Sequence, residues 1–214
     1  SMCSMSETKS SPEAKSENRA RLPRDERRSQ LLAAALEVFT TSGYHAAAMD
    51  EIADRAKVSK PVLYQHFPSK LELYLAVLDQ HIDALVFAIQ RAIASTSDNR
   101  NRVKATIEAY FGFIEDEGGA FRLIFESDMS VEPQVRQRLD RMTYDCAVAV
   151  SAVISNDTGL PKDESMILAI GLIGCAQITA RHWLERDTKI DRKQASTLIT
   201  NLLWRGISSF PLHN

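Results

Sequence analysis

The stretch HAAAMDEIADRAKVSKPVLYQHFPSK, residues 45–70, decides the fold of the N-terminal part of the chain. Its apolar spacing predicts a short helix over residues 49–56 and a second over about residues 59–67. The small side chain of Ala53 lets these two helices approach closely, and the connection at Lys57-Val58 is tight. Two short helices joined in this way form a helix-turn-helix. A generic helical hairpin with a solvated polar face is the alternative.

The second helix of this pair has its own start signals. Ser59 suits the N-cap position, and Pro61 lies in the first turn, where its missing N–H costs nothing. In a helix-turn-helix this helix enters the major groove with its first residues at the base edges. We therefore expect base contacts near its start and phosphate contacts from the residues around them. The predicted DNA-contacting residues are Arg21, Arg24, Met49, Ser59, Lys60, Pro61, Val62, Tyr64, His66 and Lys70.

The charge of the chain is uneven, although its total is only −2. Residues 18–70 contain nine basic and six acidic side chains, a net charge of +3, and the rest of the chain carries the compensating negative charge. A DNA-facing end would produce this distribution, and so would an ordinary solvated surface. The arginine-rich stretch of residues 19–28 is accordingly either a solvated segment or an arm that touches DNA.

The whole chain has only eight glycines and seven prolines, so few residues interrupt the helical patterns that make up its remainder. Apolar residues from Leu71 to Ile89 alternate at spacings of four and three, so a fourth helix over residues 70–94 should bury one face. A first helix is expected from Arg24, ending at Gly43, and five further helices are expected over residues 99–115, 120–126, 133–155, 163–186 and 191–210. No strand pattern is convincing. The fold class is therefore predicted to be all-α, with nine helices.

Composition divides the chain and bounds its compartment. The predicted parts are a disordered tail over residues 1–20, a helix-turn-helix domain over 21–68 and a larger helical domain over 69–214. The tail is rich in Ser, Lys and Glu and buries too little apolar surface to offset the entropy of ordering. The three cysteines show no pairing pattern, which favours a reducing compartment. We expect a cytoplasmic protein that does not contact a membrane.

The residues of this region resemble the TetR family of regulators. The resemblance is carried by Gly43-Tyr44 and by MDEIADRAKVSKPVLYQHFPSKLELY, and it covers about residues 27–75. It implies an N-terminal three-helix DNA-binding domain joined to an effector-binding and dimerising domain. Members usually have Gly in the turn where Lys57 stands, and a positive φ at Lys57 would cost about 1 kcal/mol.

Longer segments resemble a subgroup of that family, the actinobacterial regulators of fatty-acid synthase genes. These segments are RLPRDERRSQLL, GYHAAAMDEIADRA, SKPVLYQHFPSKLELYLAVL and FRLIFESD. The resemblance implies a long-chain acyl-CoA or fatty-acyl effector and the regulation of lipid synthesis. An acyl chain would need a long apolar tunnel, because each buried methylene contributes about 0.8 kcal/mol. The predicted wall residues are Leu85, Ile89, Ile93, Ile107, Tyr110, Phe111, Ile114, Phe125, Met142 and Cys175.

The last two helices are the predicted dimer contact. The helix over residues 163–186 is apolar all round and needs burial on more than one side. Gly171 and Gly174 allow a close helix approach, and the helix over residues 191–210 adds a second apolar face. Two such pairs would form a four-helix interface about a two-fold axis. A homodimer would then present two reading helices about one DNA turn, ~34 Å, apart.

Three other functions compete with this prediction. An acyl-CoA-processing hydrolase lacks sequence support, because no G-x-S-x-G occurs and the five histidines show no metal-ligand spacing. We expect no catalytic residue, no metal site and no resident cofactor. A purely protein-binding helical module is the second alternative. The third is a TetR-type repressor of an efflux or catabolic operon that responds to another hydrophobic ligand.

Overall fold

A computed structural model of the protein describes residues 23–116, 118–125, 128–185 and 189–206. All regular structure in these ranges is helical, which confirms the all-α class. The predicted tail, Arg21 and the end of the last predicted helix lie outside the described residues. The helices are α1 (Arg24–Ala46), α2 (Met49–Arg55), α3 (Lys60–His66), α4 (Lys70–Ala94), α5 (Asn99–Asp116), α6 (Gly118–Phe125), α7 (Pro133–Thr158), α8 (Lys162–Glu185) and α9 (Arg192–Arg205), with a 3₁₀ turn at Asp128–Val131 before α7.

The first three helices enclose a small core of their own. Leu31 and Ala35 of α1, Ile52 of α2 and Leu63 of α3 are fully buried and belong to one cluster. The Gln30 side-chain amide donates to the Ala56 carbonyl at 2.9 Å, so α1 also holds the end of α2 by a polar contact. This confirms an N-terminal helix-turn-helix unit, and its predicted boundary at residue 68 stays a prediction.

Gly43 bends the end of α1. Its φ of 74° and ψ of 165° interrupt the helical backbone, and a short turn continues to Ala46. A side chain at this φ would be strained, and glycine avoids that cost. The bend directs the chain from α1 into α2, and the Ala47 N–H donates to the Gly43 carbonyl at 3.1 Å.

Helix α4 joins the two parts of the molecule. Ser69 caps its start by accepting a hydrogen bond from the Glu72 N–H at 3.1 Å. Near its start it packs on α1, where Tyr74 lies edge-on to both Phe39 and Tyr44 with ring centroids 5.2 Å apart. Further along it packs against α5 and α7 and buries Leu85 and Ile89 completely. The predicted buried stripe of this helix is therefore correct.

The larger domain consists of α5 to α9 packed around the far half of α4. Helix α7 pairs closely with α8, and α5 contacts both α8 and α9. The helical pattern of α7 runs to Thr158, past the loop expected at residue 156, and ends at Gly159 with a left-handed φ of 72°.

Helix α8 has an unusual surface for a soluble helix. It is long and apolar enough to cross a membrane by length and composition alone, and only 22% of its most apolar window is buried. One such helix is weak evidence for a membrane span, because the apolar helices of soluble proteins pass the same test. Along the face away from α7 it exposes Ile167, Ile170 and Ile178.

Candidate DNA interface and effector cavity

The turn between α2 and α3 is closed by backbone hydrogen bonds. The Val58 N–H donates to the Ala53 carbonyl, and the Lys57 N–H donates to the Asp54 carbonyl, both at 3.0 Å. Lys57 takes a left-handed φ of 54°, as its place at the usual glycine position suggested. Val58 packs against the core between the two helices. The predicted helix-turn-helix geometry is therefore present.

Helix α3 is buried along one side only. Leu63 and Phe67 point into the core, with exposed fractions of 0% and 2%. The predicted contacts Ser59, Lys60, Pro61, Val62, Tyr64 and His66 all lie on the solvent side or at its edge, exposed or half-buried. Ser59 occupies the N-cap position, but its side chain makes no capping hydrogen bond. The structure thus places these predicted residues on one surface, as an element that enters a groove requires.

Two predicted DNA contacts have other roles in the structure. Met49 is 8% exposed and belongs to the core cluster, because the first residue of α2 faces α1. The ammonium of Lys70 donates to the carbonyls of Tyr44, His45 and Ala47 at 2.8, 3.2 and 2.9 Å. It also lies 4.7 Å from the centre of the Tyr44 ring. All three Lys70 donors are therefore used inside the protein in this conformation, and the phosphate contact of Lys70 stays a prediction.

A basic groove beside α3 combines the predicted contacts Arg24 and His66 with three residues that sequence reasoning did not select. Arg24 and Arg27 of α1, Lys57 of the turn, and Gln65 and His66 of α3 line it. The arginines come from α1, and only the fold brings them beside α3. Burial lowers the pKa of His66, and the positive charges of Arg24, Arg28 and Arg27 lower it further. The groove therefore holds a neutral imidazole among cations, an arrangement suited to a polyanion.

The larger domain contains an apolar cavity of about 390 Å³ between α4, α5, α7, α8 and α9. That volume lies within the range of small-molecule sites. Exposed residues mark its mouth at the start of α5 and the ends of α7 and α9, and buried residues mark its inner end. The mouth includes Asn99, Asp157, Thr158 and Trp204, and the inner end includes Thr106, Ile107, Ile173 and Ala176.

The cavity mouth carries an ion pair. The Arg102 Nη1 donates to the Asp157 Oδ2 at 2.9 Å and to the Asn99 Oδ1 at 2.8 Å, and the Arg102 Nε donates to the Thr96 carbonyl at 2.9 Å. Hydrogen bonds from Asn156 and Asn99 and the charge of Arg102 hold the pKa of Asp157 below its usual value. A molecule with an apolar tail and a polar head would thus meet charged groups only at the entrance.

Most of the predicted wall residues are not on this cavity. Ile93 and Ile107 line it, and Cys175 is half-buried elsewhere on α8. The side chain of Phe125 is outside what the structure describes. The other predicted residues do not line this cavity in the structure, because they face the closed core between the helices, and their role as wall residues stays a prediction: Leu85, Ile89, Tyr110, Phe111, Ile114 and Met142. The residues at the mouth were missed, since no local pattern brings α5, α7 and α9 together.

Comparison with known proteins identifies the family. The family described as "Bacterial regulatory proteins, tetR family" matches residues 31–77, which include the whole helix-turn-helix. The HTH-type transcriptional activator FasR of Mycolicibacterium smegmatis is 53% identical over 192 residues, 90% of this chain and 88% of its own length. The chain belongs to the TetR family.

Solved structures of TetR-type regulators share this architecture. A TetR-like transcriptional regulator from a Rhodococcus species is 27% identical, with a TM-score of 0.67 over 89% of this chain and 100% of its own. The fold also matches FadR from Bacillus subtilis, solved in complex with stearoyl-CoA, with a TM-score of 0.72. That match covers 84% of this chain and 98% of the other at 18% identity, so it supports the fold alone.

Family membership decides between the competing functional classes. The FasR relative, which matches 90% of this chain, is named as a transcriptional activator, and this TetR-family chain is a regulator too and not an enzyme. The helix-turn-helix lies in the α1–α3 unit, and the cavity lies among α4, α5, α7, α8 and α9.

Proposed function

We propose that this TetR-family protein is a cytoplasmic, homodimeric regulator of fatty-acid synthesis genes whose operator affinity is controlled by a long-chain acyl-CoA. The observation that carries the proposal is the cavity, which is apolar inside and carries charged groups only at its mouth. An acyl chain suits the inside, and the thioester and phosphates of CoA suit the entrance. The FasR relative, which is named as a transcriptional activator, supports an activating role.

The DNA-contacting residues proposed are those that remain on the surface of α3 and the adjoining groove. Lys60 donates to guanine or phosphate oxygens near the start of α3, and Val62 with the ring of Pro61 packs on a thymine methyl. Tyr64 and His66 reach phosphates, together with Arg24, Arg27 and Lys57 of the groove. Arg21 belongs to the same set by its place in the chain.

Effector control is proposed to act as a population shift through α4. This helix lines the cavity at Ile93 and begins at Lys70, which is bonded to the connection between α1 and α2. A ligand that prefers one position of α4 therefore also selects one position of the DNA-binding unit. In a dimer, a small rotation of each unit changes the spacing of the two reading helices, which must match about one DNA turn.

The proposal is tested by operator binding with and without effector. DNA selected by the protein from a random library serves as the probe, and fluorescence anisotropy reports its affinity. We expect palmitoyl-CoA to change that affinity at least tenfold and free CoA to leave it unchanged, because binding energy comes from the chain. Equal affinity with and without saturating palmitoyl-CoA would refute the proposed effector.

A cavity-filling variant connects that response to the site. Ala176→Phe places a ring in the inner end of the cavity, where Ala176 is 1% exposed. It should keep DNA binding and lose the response to palmitoyl-CoA. Val148→Phe adds the same bulk on α7 at a position 40% exposed and outside the cavity, so it should respond as the unmodified protein does.

A further inference from the structure

Two buried side-chain oxygen atoms have no hydrogen-bond partner within the residues that the structure describes. They are the Tyr110 hydroxyl on α5 and the Thr200 hydroxyl on α9. Tyr110 is 1% exposed, and burial raises the pKa of its phenol far above the usual value, so it stays neutral. Buried polar atoms are nearly always paired, because an unpaired one has lost its hydration without replacement. The absence of hydrogen-bond partners for these two hydroxyls, called orphaned hydroxyls below, therefore needs an explanation.

Both orphaned hydroxyls lie directly beyond the cavity. Tyr110 is three residues after Ile107 and four after Thr106, which both line the inner end. Steps of 3.6 residues per turn place its side chain at the centre of the helix face that the cavity occupies. Thr200 stands in the same relation to Leu203 and Trp204 of α9, one helical turn inward. The orphaned oxygens thus mark the floor of the site.

The opposite side of the floor is formed by α7 and α8. Cys146, four residues before the lining residue Val150, is 1% exposed, and its thiol interacts electrostatically with the Tyr110 hydroxyl. Burial raises the pKa of the Cys146 thiol to about 12, so it is a neutral, weakly polar neighbour. On α8 the buried Ala180 follows the lining residue Ala176 by one turn. Small side chains therefore continue the cavity-facing sides of α7 and α8 one turn beyond the cavity.

The cavity above this floor is too short for a long acyl chain. Along α5 it extends from Asn99 to Ile107, eight residues and about 12 Å at the helical rise. An extended chain covers three bonds in about 3.3–3.6 Å, or roughly 1.2 Å per bond, so about ten carbons fit. A long-chain acyl group exceeds that length. Beyond Tyr110, the same faces of α5 and α7 continue for one more turn to the buried residues Ile114 and Met142.

We propose that the Tyr110 ring is a movable floor that sets the length of acyl chain that the cavity accepts. This inference rests on the proposed function, since it assumes an acyl effector. Rotation of the ring breaks no hydrogen bond, because its hydroxyl has none within the described residues. The rotation would extend the cavity towards Ile114 and Met142. These residues, predicted from the sequence as wall, would then line the extended tunnel in the liganded state.

The experiment measures affinity against chain length for octanoyl-, decanoyl-, palmitoyl- and arachidoyl-CoA by isothermal titration calorimetry. Each further methylene that becomes buried should raise affinity about fourfold. Tyr110→Leu replaces the ring with a smaller side chain and so deepens the cavity. The gain in affinity for each added methylene should therefore continue to longer acyl chains than in the unmodified protein. Tyr110→Phe keeps the ring and removes the orphaned oxygen. It should raise the Tm of the free protein and move the preference towards shorter chains, because the closed floor becomes more stable.

Phe111→Leu is the matched control. Phe111 is the next residue on α5, about 100° round the helix, and it packs on Trp183 with ring centroids 5.6 Å apart. It should lower the Tm and leave the chain-length profile unchanged. Unchanged profiles in both Tyr110 variants overturn the inference, as does an equal shift in Phe111→Leu. If Tyr110→Leu does not fold, the Tyr110→Phe profile and Tm decide. No binding of any acyl-CoA by the unmodified protein refutes the proposed function itself.

Discussion

The ammonium of Lys60 lies 2.7 Å from the carboxylate of Asp50, so the first residue of the reading helix α3 is paired with the first turn of α2. The hydrogen bond that Lys60 donates to Asp50, together with the charge of that carboxylate, raises the pKa of Lys60, which stays charged. Both side chains are more than half exposed, so the pair is worth little to stability. Its consequence lies in DNA binding, because the same ammonium is the best-placed donor to a base or phosphate.

Asp50→Asn should therefore strengthen DNA binding and weaken its selectivity. When the carboxylate is removed, Lys60 can bind a DNA phosphate without first breaking an ion pair. The affinity for DNA of any sequence should therefore rise. We expect affinity for unrelated DNA to rise more than affinity for the selected operator, measured by anisotropy at several salt concentrations. Asp54→Asn removes the same charge one turn further along α2, at an exposed position that is not the ion-pair partner of Lys60, and is the control. An equal rise in both variants would mean that only net charge matters.

Lys57 combines backbone strain with a useful charge. Its left-handed φ costs an ordinary residue about 1–2 kcal/mol, and glycine escapes that cost but loses about 0.5–1 kcal/mol of unfolded-chain entropy. Lys57→Gly should therefore be more stable to urea than Lys57→Met by about 0.5–1 kcal/mol. Both variants lack the charge in the basic groove, and both should bind DNA more weakly by a similar factor. Equal stabilities of the two variants would contradict the strain at this turn.

We expect substitutions of Lys70 to lower the stability of the fold and not to remove a direct DNA contact. Lys70→Met removes three hydrogen bonds to carbonyls at the connection of α1 and α2, at a cost of about 1.5–3 kcal/mol. Lys70→Arg tests the alternative, since a planar guanidinium does not match three converging carbonyls but binds phosphate well. We expect both variants to unfold at lower urea concentration. Full stability and full DNA affinity in Lys70→Arg would support the phosphate role predicted from the sequence.

The His66 imidazole gives DNA binding a pH dependence. Its pKa is lowered in the free protein by burial and by the nearby arginines, so the unfolded chain takes up a proton at higher pH than the folded one does. Stability should therefore fall as pH drops below the unfolded value of about 6.5, and level off below the folded value. A phosphate beside His66 would raise its pKa, and DNA affinity should increase as pH falls through the same window. His66→Gln should remove both trends, and a persisting trend would assign them to another group.

How far the sequence could predict this molecule is clear from three residues. The buried stripe of α4 and the turn at Lys57 followed from local periodicity and position, which residues near in sequence determine. Tyr110 was predicted as a cavity wall but is buried in the closed core beyond the inner end of the cavity, because an apolar helix face has the same pattern whether it meets a void or a side chain. Arg102 was missed because its partner Asp157 lies on another helix. The cavity and its mouth are formed by contacts between helices that are far apart in sequence, and such contacts leave no periodic pattern in the sequence.

The exposed face of α8 yields the last prediction. Ile167, Gly171, Gly174 and Ile178 follow one another at spacings of four, three and four, so they form one stripe along the helix. The two isoleucines are 73% and 62% exposed, and a Cβ added at either glycine would meet nothing within 4 Å. A second copy of α8 fits such a stripe, because the glycines admit a close backbone approach and the isoleucines fill the space on either side of them.

The variant Ile178→Lys tests this interface. It should convert a dimer into a monomer in sedimentation velocity and reduce operator affinity at least tenfold, since only one helix-turn-helix unit then binds the operator. Phe87→Lys, at a position 60% exposed on α4, places the same charge on another apolar side chain and should stay dimeric. A dimeric Ile178→Lys variant would place the interface elsewhere.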